Sequence, residues 1–236
     1  MLVIKNLDKI YKGTDKGIKD ISLAVEAGDI YAFIGHNGAG KTTLLKAITG
    51  IHEFDKGEVI IDGINIQDNP MEVKRRIAYI PDNPDIYEYM TGIQYLQFVA
   101  DIYNVSAAER EQKITEYADK FEITGSLGDL ISSYSHGMKQ KLVLISALLH
   151  SPKLLIMDEP FVGLDPKAAF ILKEIMKEMT EQGSAIFFST HVLEVAEKLC
   201  NKVAIIKEGK IITKGTMEEL VGDKSLEEVF LEQATY

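Results

Sequence analysis

In 236 residues the chain has a single cysteine, Cys200. One thiol allows no internal disulfide and builds no cysteine metal cluster, so a disulfide-stapled fold is excluded and a reducing compartment fits. Cys200 closes the stretch Val195-Ala196-Glu197-Lys198-Leu199-Cys200 and reads as a small buried hydrophobe. Long apolar runs are missing too. None approaches the roughly 18 residues needed to cross a bilayer, so work at a membrane requires other chains to do the spanning. Met1-Leu2-Val3-Ile4-Lys5 has no charged-then-apolar targeting layout. Positive charge is scarce, with Lys+Arg 26 against Asp+Glu 36 and a formal net charge of -10. Domains that hold a nucleic-acid backbone usually carry a basic stripe, so no nucleic-acid partner is expected. The chain also lacks internal repeats and low-complexity tracts. The remaining composition, hydrophobic 46% and charged 26%, is that of a soluble globular protein. A single domain of this length buries roughly three-quarters of its unfolded surface.

The most informative segment is Gly35-His36-Asn37-Gly38-Ala39-Gly40-Lys41-Thr42. It lies between the apolar strand candidate Asp29-Ile30-Tyr31-Ala32-Phe33-Ile34 and a helix that opens Lys41-Thr42-Thr43-Leu44-Leu45-Lys46-Ala47. Glycines let successive backbone N–H groups curl around phosphates without a Cβ in the way. Lys41 supplies a mobile charge for the β- and γ-phosphates, and Thr42 a hydroxyl for Mg²⁺. The helix dipole adds partial positive charge at the same point. The loop therefore predicts a nucleotide site for ATP or GTP made by Gly35, His36, Asn37, Gly38, Ala39, Gly40, Lys41, Thr42 and Thr43.

Around it the pattern is α/β. Residues 2–34 read as short strands joined by polar turns such as Tyr11-Lys12-Gly13-Thr14-Asp15-Lys16-Gly17, and Glu58-Val59-Ile60-Ile61 enters a tight turn at Asp62 and Gly63. Together they predict an N-terminal antiparallel β subdomain. In residues 92–150, Ile93, Leu96, Ala100 and Tyr103 recur at helical spacing, as do Ile114, Tyr117, Ala118 and Phe121. With the apolar helix that follows, they predict an α-helical subdomain, about residues 88–150, inserted into one domain of residues 1–236. Leu154-Leu155-Ile156-Met157 and Ala185-Ile186-Phe187-Phe188 are continuous apolar runs, the mark of parallel strands covered on both faces. Leu172, Ile175, Met176 and Met179 place a helix between them. Val203-Ala204-Ile205-Ile206 and Lys210-Ile211-Ile212 make a strand pair, and helical segments follow around 216–221 and 225–233.

Asp158 and Glu159 come directly after one parallel strand, and His191 after the next. In open α/β sheets ligands lie beyond the carboxyl ends of the strands, so all three reach the rim that carries the phosphate loop. Asp158 is positioned to hold Mg²⁺ through its water shell. Glu159 is positioned to orient or deprotonate an attacking water, and His191 to contact the γ-phosphate.

Tyr134-Ser135-His136-Gly137-Met138-Lys139-Gln140-Lys141 resembles the signature motif of ATP-binding cassette (ABC) ATPases. Gly163-Leu164-Asp165-Pro166 resembles their D-loop, Ser189-Thr190-His191 their switch histidine, and Tyr11 falls where they stack an aromatic on adenine. The motifs cover nearly the whole chain, in the family's order and spacing. The resemblance implies a P-loop ATPase core that uses ATP and Mg²⁺, with Glu159, His191 and Lys41 as catalytic residues. It implies that Ser135 and Gly137 bind the nucleotide held by an opposite protomer, in a homodimer or a heterodimer with a second ABC subunit. It also implies an integral-membrane permease as partner, at the cytoplasmic face of the cell membrane.

Two departures from the family's commonest pattern stand out. His136 and Met138 replace the usual Gly and Gln, a form similar to bacterial drug-, antibiotic- and sodium-type exporter subunits. In Tyr79-Ile80-Pro81-Asp82-Asn83-Pro84, Asp82 takes the place of the Q-loop glutamine and is a candidate Mg²⁺-shell residue beside Thr42 and Asp158. Residues 83–103, with Tyr87, Tyr89, Tyr95, Phe98 and Tyr103, form a candidate docking surface for a partner's cytoplasmic helix. The alternative reading is a soluble ABC ATPase acting as an assembly factor.

Overall fold

The computed structural model describes residues 1–83 and 85–234; Pro84, within the stretch expected to meet a partner, lies outside the described residues. The N-terminal β layer is β1 (Leu2–Ile10), β2 (Gly17–Val25), β4 (Lys56–Ile61) and β5 (Ile64–Asn65), antiparallel in the order β2-β1-β4-β5. Leu2, Ile4 and Leu7 of β1 face inward, and the hairpin turn at Asp62 and Gly63 joins β4 to β5 as the sequence predicts.

The second sheet contains β3 (Ile30–Ile34), β6 (Ile77–Ile80), β7 (Leu154–Asp158), β8 (Ala185–Thr190), β9 (Lys202–Lys207) and β10 (Lys210–Thr216), in the order β10-β9-β3-β8-β7-β6. All its pairings are parallel except that of the last two strands in the chain, β9 and β10. The apolar runs are continuous because both faces are covered. Ala32, Ile34, Leu155, Met157, Ile186 and Phe188 enter one core, while Tyr31, Phe33, Ile156 and Phe187 enter the other. Each fully buried large side chain here contributes roughly 1.5–3 kcal/mol.

The second of these cores also takes in the antiparallel layer and Leu44, Leu45 and Ile48 of α1 (Lys41–Ile48). The first takes in α3 (Gly92–Ile102), α4 (Ala107–Lys120), α5 (His136–Leu148) and α6 (Pro166–Glu181). The helical segment therefore shares its packing with one face of the parallel sheet. Residues 142–148 of α5 are buried all round, as a helix in the centre of such a core must be. α2 (Pro70–Lys74) and α7 (Leu193–Leu199) are short connectors, and α8 (Met217–Val221) and α9 (Leu226–Ala234) follow the last strand. Cys200 ends α7 buried, with burial pushing its thiol pKa well up, as a small core residue rather than a reactive one.

The sheet order fixes the site. β3, β8, β7 and β6 are consecutive parallel neighbours, so the segments leaving their carboxyl ends lie side by side. These carry, in turn, the phosphate loop, His191, the Asp158–Glu159 pair and Asp82.

Candidate nucleotide site

α1 starts without a side-chain cap. Gly40 stands at its N-cap with φ 110°, and no acidic residue occupies the first turn. A side chain at Gly40 would be strained at that φ and would also lie 2.8 Å from Ile18. Among the described residues, the N–H groups of Gly38, Gly40, Lys41 and Thr42 donate to no other backbone group. Uncapped N–H groups at a helix start, with no local anion to satisfy them, form an anion site.

The cleft in front of this helix has a volume of about 290 Å³. Its walls include His36, Asn37, Gly38, Gly40, Lys41, Thr42 and Thr43 from the phosphate loop and α1. Tyr11, Asp82, Asp158 and Glu159 complete them from other parts of the chain. Gly35 and Ala39 lie buried behind the loop. Lys16 and Gly17, read from sequence only as part of a polar turn, also line the cleft.

Lys41 is only 6% exposed. Its Nζ donates to the Gly35 carbonyl at 2.7 Å and lies 3.3 Å from Oε1 of Glu159. The other carboxylate oxygen of Glu159 accepts from the His191 backbone N–H at 3.2 Å and lies 3.0 Å from His191 Nδ1. One carboxylate thus joins Lys41 to His191. Glu159 sits at φ 48°, a left-handed conformation that non-glycine residues rarely adopt. The Ser189 carbonyl and hydroxyl hold its backbone N–H at 3.1 and 3.2 Å.

Asp158 is buried at the end of β7. Its Oδ2 accepts from the Thr42 hydroxyl at 2.6 Å, and its Oδ1 accepts from the Ser189 hydroxyl. Thr42 and Asp158 therefore present adjacent oxygen donors, the chemistry a hard divalent cation prefers. Among the described residues no group of three or more His, Cys, Asp or Glu makes a protein-only metal cage. That fits Mg²⁺, which keeps several waters and binds through one or two protein oxygens together with substrate phosphates. Asp82 is exposed on the same cleft, with Oδ1 accepting from the Asn83 N–H at 2.8 Å.

Tyr11 is 38% exposed, its hydroxyl 3.2 Å from Thr43 Oγ1 and its ring edge-on to His52 at 6.1 Å. One face of the cleft thus ends in an accessible aromatic. Ser135 and Gly137 are not among the cleft's walls. Ser135 caps α5, accepting from the Met138 N–H at 3.3 Å. Sequence reasoning missed Ser189 as the partner of Asp158. It also missed the edge contact of His36 with Phe230 of α9, 4.9 Å between rings. The first was within reach, because a serine in a buried strand needs a partner; the second had no sequence signal.

A P-loop, a strand-end Asp-Glu pair and a histidine just past the neighbouring strand define the molecule as a P-loop ATPase domain. The model of the ABC transporter family matches residues 18–162. The chain is 32% identical over 220 residues to the linearmycin resistance ATP-binding protein LnrL of Bacillus subtilis, covering 93% of this chain and 70% of that protein. It is 34% identical to an uncharacterized ABC transporter ATP-binding protein of Nostoc sp., over 88% of this chain and 62% of that one. The chain thus spans less than two thirds of the Nostoc protein's length. A solved structure described as the ATP-binding subunit of an ABC transporter superposes with a TM-score of 0.95 at 36% identity, covering 99% of both chains. The chain belongs to the ABC transporter family, as one of its ATP-binding ATPase domains.

Proposed function

We propose that this chain is the ATP-hydrolysing subunit of a transporter whose membrane-spanning part is a separate permease. Among the described residues no helix is long and apolar enough to cross a membrane. The observation that carries the reading is the chain of contacts from Lys41 through Glu159 to His191 in front of the uncapped start of α1. ATP phosphates compete with Glu159 for Lys41. Nucleotide entry therefore frees the carboxylate to orient water for in-line attack on the γ-phosphate, while His191 contacts that phosphate. Thr42 and Asp158 would hold Mg²⁺, with Asp82 a further candidate for its water shell. The ion, when bound, neutralises charge on the phosphates.

In this reading Ser135 and Gly137 act on the nucleotide of a second protomer, so that two copies, or this chain and another ABC subunit, close head to tail. The permease docks on residues 83–103 at the cytoplasmic face of the membrane. A groove of about 330 Å³ there is walled by Ile86, Tyr95, Val99, Tyr103 and His150, and beside it Tyr87 touches the rings of Tyr89, Tyr95 and Phe98. Tyr89, at 77% exposed, is available to a partner. Outward transport is favoured by His136 and Met138 in the signature and by a relative named for resistance to linearmycin.

Lys41→Ala tests the site. The loss of a charged hydrogen-bond donor to phosphate lowers ATP affinity roughly 10–100-fold in a titration, and unchanged affinity sinks the assignment. Recovery of the tagged chain from solubilised membranes with a multi-span protein tests the partner. Its absence there would favour the assembly-factor reading.

A further inference from the structure

Gln140 lies within α5, fully buried, and neither its Oε1 nor its Nε2 has a hydrogen-bond partner. Other buried polar atoms are orphaned singly, whereas Gln140 is the one side chain among the described residues with both ends unpaired. A folded protein rarely leaves an amide so unless another arrangement uses it. Beside it runs the loop from β7 into α6. A Cβ built on Gly163 would lie 3.7 Å from Gln140 Oε1 and 2.8 Å from the His136 ring. With φ 83°, Gly163 turns a face without a side chain toward α5. Its carbonyl faces Gly137, whose Cβ would lie 3.2 Å away. The backbone groups of Gly163 and Leu164 make no backbone–backbone hydrogen bond among the described residues. Lys141 Nζ and Asp165 Oδ2, 2.8 Å apart, tie the same helix to the end of this loop. An unpaired buried amide therefore sits against an exposed turn whose backbone groups are bonded to no other backbone, anchored at one side.

We propose that Gln140 is a positioning residue for ATP hydrolysis: on closure of the ATP-bound pair its amide hydrogen-bonds the backbone of the loop at Gly163 and Leu164. That loop begins at Glu159, whose carbonyl accepts from the Val162 N–H at 3.1 Å, so fixing it fixes the carboxylate. The open arrangement leaves the buried amide unsatisfied and the closed one pairs it, which biases the two-state equilibrium toward closure. The inference rests on the head-to-tail pairing proposed above.

Gln140→Leu and Gln140→Met remove the orphaned atoms at similar volume. Both variants should keep or raise the thermal midpoint and bind ATP as the unaltered protein does, because Gln140 is not in the cleft. Each should lower kcat about tenfold, the worth of one or two hydrogen bonds, with KM within about twofold. In a Glu159→Gln background, ATP should slow hydrogen exchange at residues 163–164, and Gln140→Leu should abolish that slowing. Unchanged kcat in either folded variant overturns the proposal. So does a lowered thermal midpoint in both, which would mean that the amide is paired in the resting fold. If the unaltered protein neither hydrolyses ATP nor pairs as Glu159→Gln, the function proposed above fails, and that result is separate from the behaviour of the Gln140 variants.

Discussion

Two helix N-termini in this molecule are finished in opposite ways. α1 has no cap and no first-turn acid, and it opens at the bottom of a cleft whose Lys41 and Glu159 are already in contact, with His191 behind Glu159 outside the cleft's walls. α5 is capped by its own Ser135 and opens at the surface, beside the exposed turn at Gly163. The first end is built to receive an anion from solution, because its free N–H groups have nothing else to bond. The second bonds its own serine and lies outside that cleft. In the head-to-tail pairing proposed above, this end meets the nucleotide of a second protomer. On that proposal one chain supplies the cleft and its partner the second helix end.

The largest expected effect divides the two ends. Glu159→Gln should slow turnover roughly 10²–10⁴-fold, the worth of a positioned general base, while ATP still binds. The trapped nucleotide should hold a pair that elutes early in size-exclusion chromatography. Near-normal turnover would show that the Lys41–Glu159–His191 contacts are structural only.

Next in size is Tyr11→Ala, which should weaken ATP binding by about 1–3 kcal/mol if the exposed ring stacks on the base, whereas Tyr11→Phe should be almost silent. Loss of stability without loss of affinity would return Tyr11 to a packing role against His52 and Thr43. The smallest effect should come from Ser135→Ala. Because Ser135 is outside the cleft, single-chain ATP affinity should stay unchanged. Turnover should fall by roughly 2–10-fold, the worth of one neutral hydrogen bond to the partner's nucleotide. A loss of ATP affinity in the isolated chain would break the comparison between the two helix ends.

Much of this architecture is legible from residue order. The continuous apolar runs at residues 154–157 and 185–188 required both faces of a sheet to be covered, and the two cores on either side of Phe187 and Phe188 meet that requirement. The strand-loop-helix around Gly35 and Lys41 is a local device, readable because its spacing is set by backbone geometry. Three features depended on the tertiary fold, although the need of buried Ser189 for some partner was visible in the sequence. Ser189 as the partner of Asp158 depends on the parallel register that sets Asp158 opposite Ser189. The position of Phe230 against His36 depends on where the last helix comes to rest. The unpaired amide of Gln140 depends on which face of α5 meets the Gly163 turn.

By itself the sequence determined the phosphate loop, the strands that feed it, the acid pair at the end of β7 and the serine that opens α5. Each of these follows from short-range periodicity or from a turn whose conformation only certain residues adopt. Only the tertiary structure decided that Thr42 donates to Asp158, 116 residues further along the chain, and that Lys41 is held by Glu159. Those contacts exist because parallel strand order carries distant strand ends to one edge of a sheet. Strand order is a property of how the layers pack, which no local pattern along the chain encodes.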